Sequence, residues 1–350
     1  MDATTTESAL LVSADSHVIE PTSIWDGLLP PSFWGDLAAG FSDRPGGSDP
    51  NARLDEMAVD GVSAEVLYPS LALRLFSLEP PALQAECLQA YNDWLADYVS
   101  VSPQRLVGIG QICTYDIDLA VKEVERCRGR GFGGIQIWQS PHPRLPFSGD
   151  HYEPLWEACA ALSLPVSLHI LTGYDASQEM FRQSLDVRDM QAREILKMSV
   201  SQKLLSATES LIDLVFTGVL DRHPALQLVV VENEVAWLPF FVDQCDYYIN
   251  RFRQPGGGAP PRKFSEYLGE QVFGTFFRDP NARWAIESLG PGAFMWSNDY
   301  PHANSTWPHS REVIAGQLGA LDQQRFDAVT FGNVCSLYGL PINVLEGTKA

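Results

Sequence analysis

The chain contains no run of about 18 apolar residues, the length a helix needs to cross a bilayer, so no membrane span is expected. Positive charge is also scarce. Lys and Arg number 24 against 44 Asp and Glu, for a formal net charge of −20. Nucleic acid and anionic membrane surfaces both need a basic footprint, so neither is expected as a partner. An anionic substrate would instead need a local cation, either a metal ion or an arginine. Residues 1–17, MDATTTESALLVSADSH, lack a basic stretch leading into a long apolar core, so no secretion signal is expected. The six cysteines, Cys87, Cys113, Cys127, Cys159, Cys245 and Cys335, include no C-x-x-C pair. Such isolated thiols in apolar patterns predict a reducing compartment, the cytoplasm. No G-x-G-x-x-G follows the first apolar strand, which counts against a dinucleotide fold.

What the chain does have is alternation. Apolar, strand-like runs fall at 10–16, 64–69, 106–112, 134–139, 165–170, 227–232, 271–276 and 293–298. Amphipathic stretches with apolar residues three and four apart lie between them, at 81–101, 116–129, 151–162, 203–221 and 235–252. Near-continuous apolar strands alternating with helices imply a parallel sheet covered by helices. The reading is therefore α/β, a (β/α)8 TIM barrel formed by residues 1–350 as one domain, with a loop insertion around 20–52. SDRPGGSDPN at 42–51 and QPGGGAPP at 254–261 read as surface loops.

Active sites of such barrels lie at the carboxyl ends of the strands. Strand 1 ends in Asp15-Ser16-His17, whose first and third side chains share one face. Strand 5 ends in His169, strand 6 in Glu232-Asn233-Glu234, strand 7 in Arg278-Asp279, and strand 8 in Trp296-Ser297-Asn298-Asp299-Tyr300-Pro301-His302. Alone, D-x-H is ordinary turn chemistry. Imidazoles and carboxylates at corresponding ends of several strands instead point to one divalent ion, zinc first, with manganese or iron(II) as alternatives. The expected ligands are Asp15, His17, His169 and Asp299.

These residues carry a resemblance. SADSHVIEP at 13–21, GFGGIQI at 131–137, YEPLWEACAALSLPVSLHI at 152–170, HPALQLVVVENEVAWLPFF at 223–241 and WSNDYPHANSTWP at 296–308 resemble, in order, the amidohydrolase superfamily. The similar branch is that of aminocarboxymuconate-semialdehyde decarboxylase and related aromatic-acid decarboxylases. The resemblance implies a (β/α)8 barrel with one divalent metal, held by the same Asp15, His17, His169 and Asp299. The sequence departs from the branch at two points. Asp15 stands where His or Glu is common, and Glu232 stands at the end of strand 6, where the decarboxylases place a histidine as acid/base group. Burial would raise the pKa of Glu232 and a metal would lower it, so its role is either proton shuttle, metal ligand or a partner to one.

The leading expectation is non-oxidative decarboxylation of a small aromatic or unsaturated carboxylic acid. Asp299 or Glu232 would protonate the carbon that loses CO2, and His302 would serve as a further proton donor at the mouth. Arg278 would pair with the substrate carboxylate and Trp296 would wall the pocket, with inter-strand packing as its blander role. The alternative is hydrolysis of an amide, lactone or C–C bond, with Asp299 as base. A non-catalytic barrel would predict loss of a strand-end ligand, and none is lost. Glu20 is expected either to brace His17 or to cap a loop or helix. A homodimer fits the resemblance.

Overall fold

In the computed structural model, residues 9–35, 44–174, 200–253 and 258–347 are described. Parts of the expected insertion and of the two Pro/Gly-rich loops, 36–43 and 254–257, lie outside them. Eight strands run β1 Val12–Val18, β2 Ala64–Pro69, β3 Leu106–Gln111, β4 Gly134–Ser140, β5 Val166–Gly173, β6 Leu228–Val231, β7 Val272–Phe276 and β8 Phe294–Trp296. Each pairs in parallel with the next, in the order β1 to β8. The ends of the sheet meet through backbone bonds, Asp299 N–H to the Asp15 carbonyl at 3.0 Å and His17 N–H to the Tyr300 carbonyl at 2.6 Å. The result is the expected (β/α)8 barrel.

A principal helix follows each strand: α1 Pro50–Asp60, α2 Pro81–Val99, α3 Ile117–Gly129, α4 Glu153–Leu162, α5 Ala207–Phe216, α6 Leu238–Phe252, α7 Ala282–Leu289 and α8 Ser310–Leu318. Their ends follow local chemistry. The Asp49 carboxylate caps the first turn of α1 and Pro50 opens it, while Gly61, at φ 71°, closes it in the left-handed region. The helix expected over 203–221 is broken. A π-turn, Gln202–Ser206, precedes α5, and Gly218, at φ 78°, separates α5 from the turn Val219–Arg222.

Strand side chains alternate between two cores. Val12, Ala14, Ala64, Val66, Val107, Ile109, Val229, Val231, Phe273 and Met295 fill the barrel axis. Ile135, Ile137, Val166, Leu168, Leu228, Phe276, Phe294 and Trp296 pack outward with the helices.

The first strand breaks this alternation. Ser13 pairs with Glu65 and Ser16 with Leu67, so three steps on β1 oppose two on β2. That extra residue is a β-bulge. Ala14 belongs to the axial core, and Asp15, the next residue, meets His169 across the barrel. Two consecutive side chains therefore point inward. Above the bulge the axial positions belong to Asp15 and His17 instead of apolar residues.

Candidate metal centre and active site

The bulge delivers Asp15 and His17 to the barrel mouth, opposite His169 at the end of β5. The His17 imidazole lies 3.4 Å (Nε2) from Asp15 Oδ1 and 3.4 Å from Asp299 Oδ1. Nε2 of His169 lies 3.8 Å from Asp15 Oδ1 and 3.7 Å from Glu232 Oε2. One donor atom each from Asp15, His17, His169 and Glu232 falls within 4.8 Å of the others, and His17, Asp299 and His302 form an overlapping group.

Both ring orientations have a cause. Nδ1 of His17 is 2.7 Å from the Pro69 carbonyl, and Nδ1 of His169 is 2.7 Å from the Ile170 carbonyl. A carbonyl can only accept, so each Nδ1 carries the proton and each Nε2 presents a lone pair inward. Those Nε2 atoms, both oxygens of Asp15 and Oδ2 of Asp299 are buried without a hydrogen-bond partner. Orphaned polar atoms of this kind are costly in a protein interior. One divalent cation satisfies them together, and this donor set of imidazole and carboxylate fits it.

The electrostatics agree. Burial raises the pKa of Asp299, reinforced by the nearby Asp15, and pushes it up to about 7. Burial and then Asp299 likewise raise Glu232. For Asp15 burial acts upward, but the facing imidazoles of His169 and His17 outweigh it and hold the carboxyl well below the usual range. His17 is lowered by burial and by His302; His169 resists the same burial and is raised by Asp15 and Glu232. Three carboxylates this close do not all ionise beside two neutral rings unless a cation joins them.

Supporting groups explain why the site holds its shape. The Glu20 carboxylate accepts from the backbone N–H of Ser70 at 3.2 Å, Leu71 at 2.9 Å and Ala72 at 3.1 Å. It thereby braces His17 through the loop that supplies the Pro69 carbonyl. The same loop brings Ser70 Oγ to 3.0 Å from His302 Nε2, while His302 Nδ1 lies 2.9 Å from Asp299 Oδ1. Behind β1, buried Arg53 donates from Nε to Glu65 at 2.5 Å and from Nη1 to the His17 carbonyl at 2.7 Å. Asn298 accepts from Ser13, Ser16 and the Tyr300 N–H, and donates to Glu65 at 3.1 Å. Glu20 and His302 were expected from the sequence; of the others, the signals in the sequence were the charged Glu65 in the apolar run AEVLYP and the polar Asn298 before Asp299.

Two expected residues lie elsewhere. Arg278 is exposed and its guanidinium donates to the carbonyls of Asn304, at 2.6 Å, and Ser305, at 2.8 Å. It clamps the loop after β8 in place of a substrate carboxylate. Trp296 pairs in register with Phe276 and packs outward in the helix-side core, so it does not wall the pocket. Trp138 donates from Nε1 to the Tyr152 hydroxyl at 2.9 Å, a packing role.

A strand-end imidazole–carboxylate cluster on a (β/α)8 barrel defines a metal-centred barrel protein, and the amidohydrolase family model matches residues 14–340: the chain belongs to that family. Among curated relatives, the gamma-resorcylate decarboxylase of Polaromonas sp. (strain JS666 / ATCC BAA-500) is 25% identical over 312 residues, covering 84% of this chain and 88% of that protein. The crystal structure of 5-carboxyvanillate decarboxylase from Sphingomonas paucimobilis superposes with a TM-score of 0.72 at 22% identity, covering 95% of this chain and 100% of that one. A dihydroxybenzoic acid decarboxylase from Polaromonas sp. JS666, solved with bound manganese and the inhibitor 2-nitroresorcinol, gives 0.72 at 20% identity, covering 95% and 97%. These structures share the fold of this chain.

Proposed function

We propose that this protein is a metal-dependent, non-oxidative decarboxylase of a small aromatic carboxylic acid. The observation that carries the reading is the convergence of orphaned, buried imidazole and carboxylate atoms at the barrel mouth. The named activity of its relatives supports the reaction type. Asp15, His17, His169 and Glu232 would hold the ion, with Asp299 beside it. Bound there, a divalent ion would supply Lewis acidity toward the oxygens of the substrate. The donor set is two carboxylates and two imidazoles, which suits manganese as well as zinc, and a dihydroxybenzoic acid decarboxylase of the same fold was solved with bound manganese, which favours manganese over the zinc expected from sequence.

The residues then divide the work. Glu232, whose carboxylate faces Nε2 of His169, serves as ligand, which leaves Asp299 as the acid. Protonated Asp299 transfers its proton to the ring carbon bearing the carboxylate. The C–C bond breaks, its electron pair restores the ring, and CO2 departs. His302, touching Asp299 through Nδ1 and Ser70 through Nε2, returns a proton to Asp299 from the partly exposed rim.

The test uses protein stripped with chelator and reloaded with manganese or zinc, incubated with 2,6-dihydroxybenzoate, 5-carboxyvanillate and other hydroxybenzoates. Metal-dependent CO2 release from at least one is expected. Acid release from amides or lactones, with no CO2 from any acid, would establish the hydrolytic alternative.

The reading extends to assembly and compartment. Helix α6 exposes Phe240 at 71%, Tyr247 at 52% and Phe252 at 58%, and we take this aromatic face as a homodimer interface. Light scattering should give twice the chain mass, and the triple substitution F240E/Y247E/F252E should halve it; a monomeric wild type at micromolar concentration refutes this. All six cysteines are buried and free, and no described helix is long and apolar enough to cross a membrane. The free thiols support a cytoplasmic enzyme.

A further inference from the structure

The carboxylate of Glu232 should not reach the metal centre on strand geometry alone. Along β6, Val229 and Val231 face the barrel axis while Leu228 and Val230 face the helices, so the next side chain in step would turn outward. Glu232 escapes this by a left-handed backbone, φ 62°, and Glu234 two residues on does the same at φ 55°. Such a conformation costs a non-glycine residue roughly 1–2 kcal/mol and persists only where its surroundings enforce it.

The enforcing groups come from outside the strand. The N–H of Glu232 donates to Thr275 Oγ1 on β7 at 2.9 Å, and its carbonyl accepts from Nζ of Lys203 at 2.8 Å. The same ammonium lies 3.6 Å from the Glu234 carboxylate and 5.3 Å from the centroid of the Phe277 ring. Lys203 sits in the π-turn Gln202–Ser206, and insertions of this kind recur where a helix must aim a side chain at a site.

We infer that Lys203 is a positioning residue: its ammonium locks the Glu232–Glu234 turn and so sets the Glu232 carboxylate as a metal ligand. The inference rests on the metal-centre reading above but not on the reaction. A glutamate at this position can bind metal here because a lysine holds its main chain in the required turn.

Metal affinity in the absence of substrate tests it. Stripped protein is titrated with Mn2+ against a fluorescent chelator, so that failure to release CO2 has no bearing on the result. Lys203→Met should weaken Mn2+ binding by about 10–100-fold, the range seen when groups behind a ligand are removed. Lys203→Arg, which keeps a charged donor, should recover most of it. In a Glu232→Gln background, Lys203→Met should add less than about twofold, since the ligand it positions is already lost. Should Lys203→Met fail to fold, Lys203→Gln is read in its place, with the same weakening expected. Mn2+ binding within about twofold of wild type in the folded Lys203 variant overturns the inference, as does full multiplication of the two effects.

Discussion

His169→Ala should cost the protein its metal and its turnover together. The imidazole is fully buried, fixed by its Nδ1 contact to the Ile170 carbonyl, and its Nε2 faces both Asp15 and Glu232. No other nitrogen among the described residues can take that position, because His17 is committed to the Asp15–Asp299 side and His302 to Asp299 and Ser70. Metal content by plasma emission should fall from roughly one equivalent per chain to near zero, and kcat should fall at least about a thousandfold when both Lewis acid and site geometry are lost. The helix signal in circular dichroism should persist, since the apolar core of the barrel lies below this layer. A variant that still retains a full equivalent of metal after dialysis refutes the assignment.

Asp299→Asn should separate chemistry from binding. Asn matches Asp in shape and tolerates the left-handed backbone, φ 54°, that Asp299 adopts. The turn and its Asp299 N–H to Asp15 bond should therefore survive. The amide carries no transferable proton, so kcat should fall about 10²–10⁴-fold, the usual worth of a positioned acid. KM should stay within a few-fold of wild type, and the metal should be retained by the other ligands. A variant with near-normal kcat would move the acid to Glu232.

Most of the barrel was legible because parallel strands covered on both faces read as unbroken apolar runs, here matched within two residues at nearly every start. The site candidates Asp15, His17, His169 and Asp299 stood out as polar residues at strand ends, but Asp299, expected as a ligand, stands beside the group of four that Glu232 completes. The β1 bulge was not legible. The D-x-H spacing correctly puts Asp15 and His17 on one face, but simple alternation would set that face opposite to Val12 and Ala14, and only the extra residue reconciles them. Arg278 misled because a strand-end position does not say where a long side chain bends. Trp296 was legible in principle, two residues after outward-facing Phe294. Lys203 and Arg53 escaped because their partners, Glu232 and Glu65, are distant in sequence and set by folding.

Of the five described non-glycine residues with positive φ, Ser163 closes α4, and the other four, Leu171, Glu232, Glu234 and Asp299, lie at or just beyond the ends of β5, β6 and β8. Glycine at such positions relieves strain, so a laboratory selection for heat resistance would be drawn to them. Leu171 is open to that drift, whereas Glu234 would give up its contacts to Lys203 and the Phe277 N–H, and Glu232 and Asp299 lose their chemistry with their side chains. Thermostabilised descendants of this enzyme, chosen without an activity screen, would thus accumulate changes at the rim of its own active site.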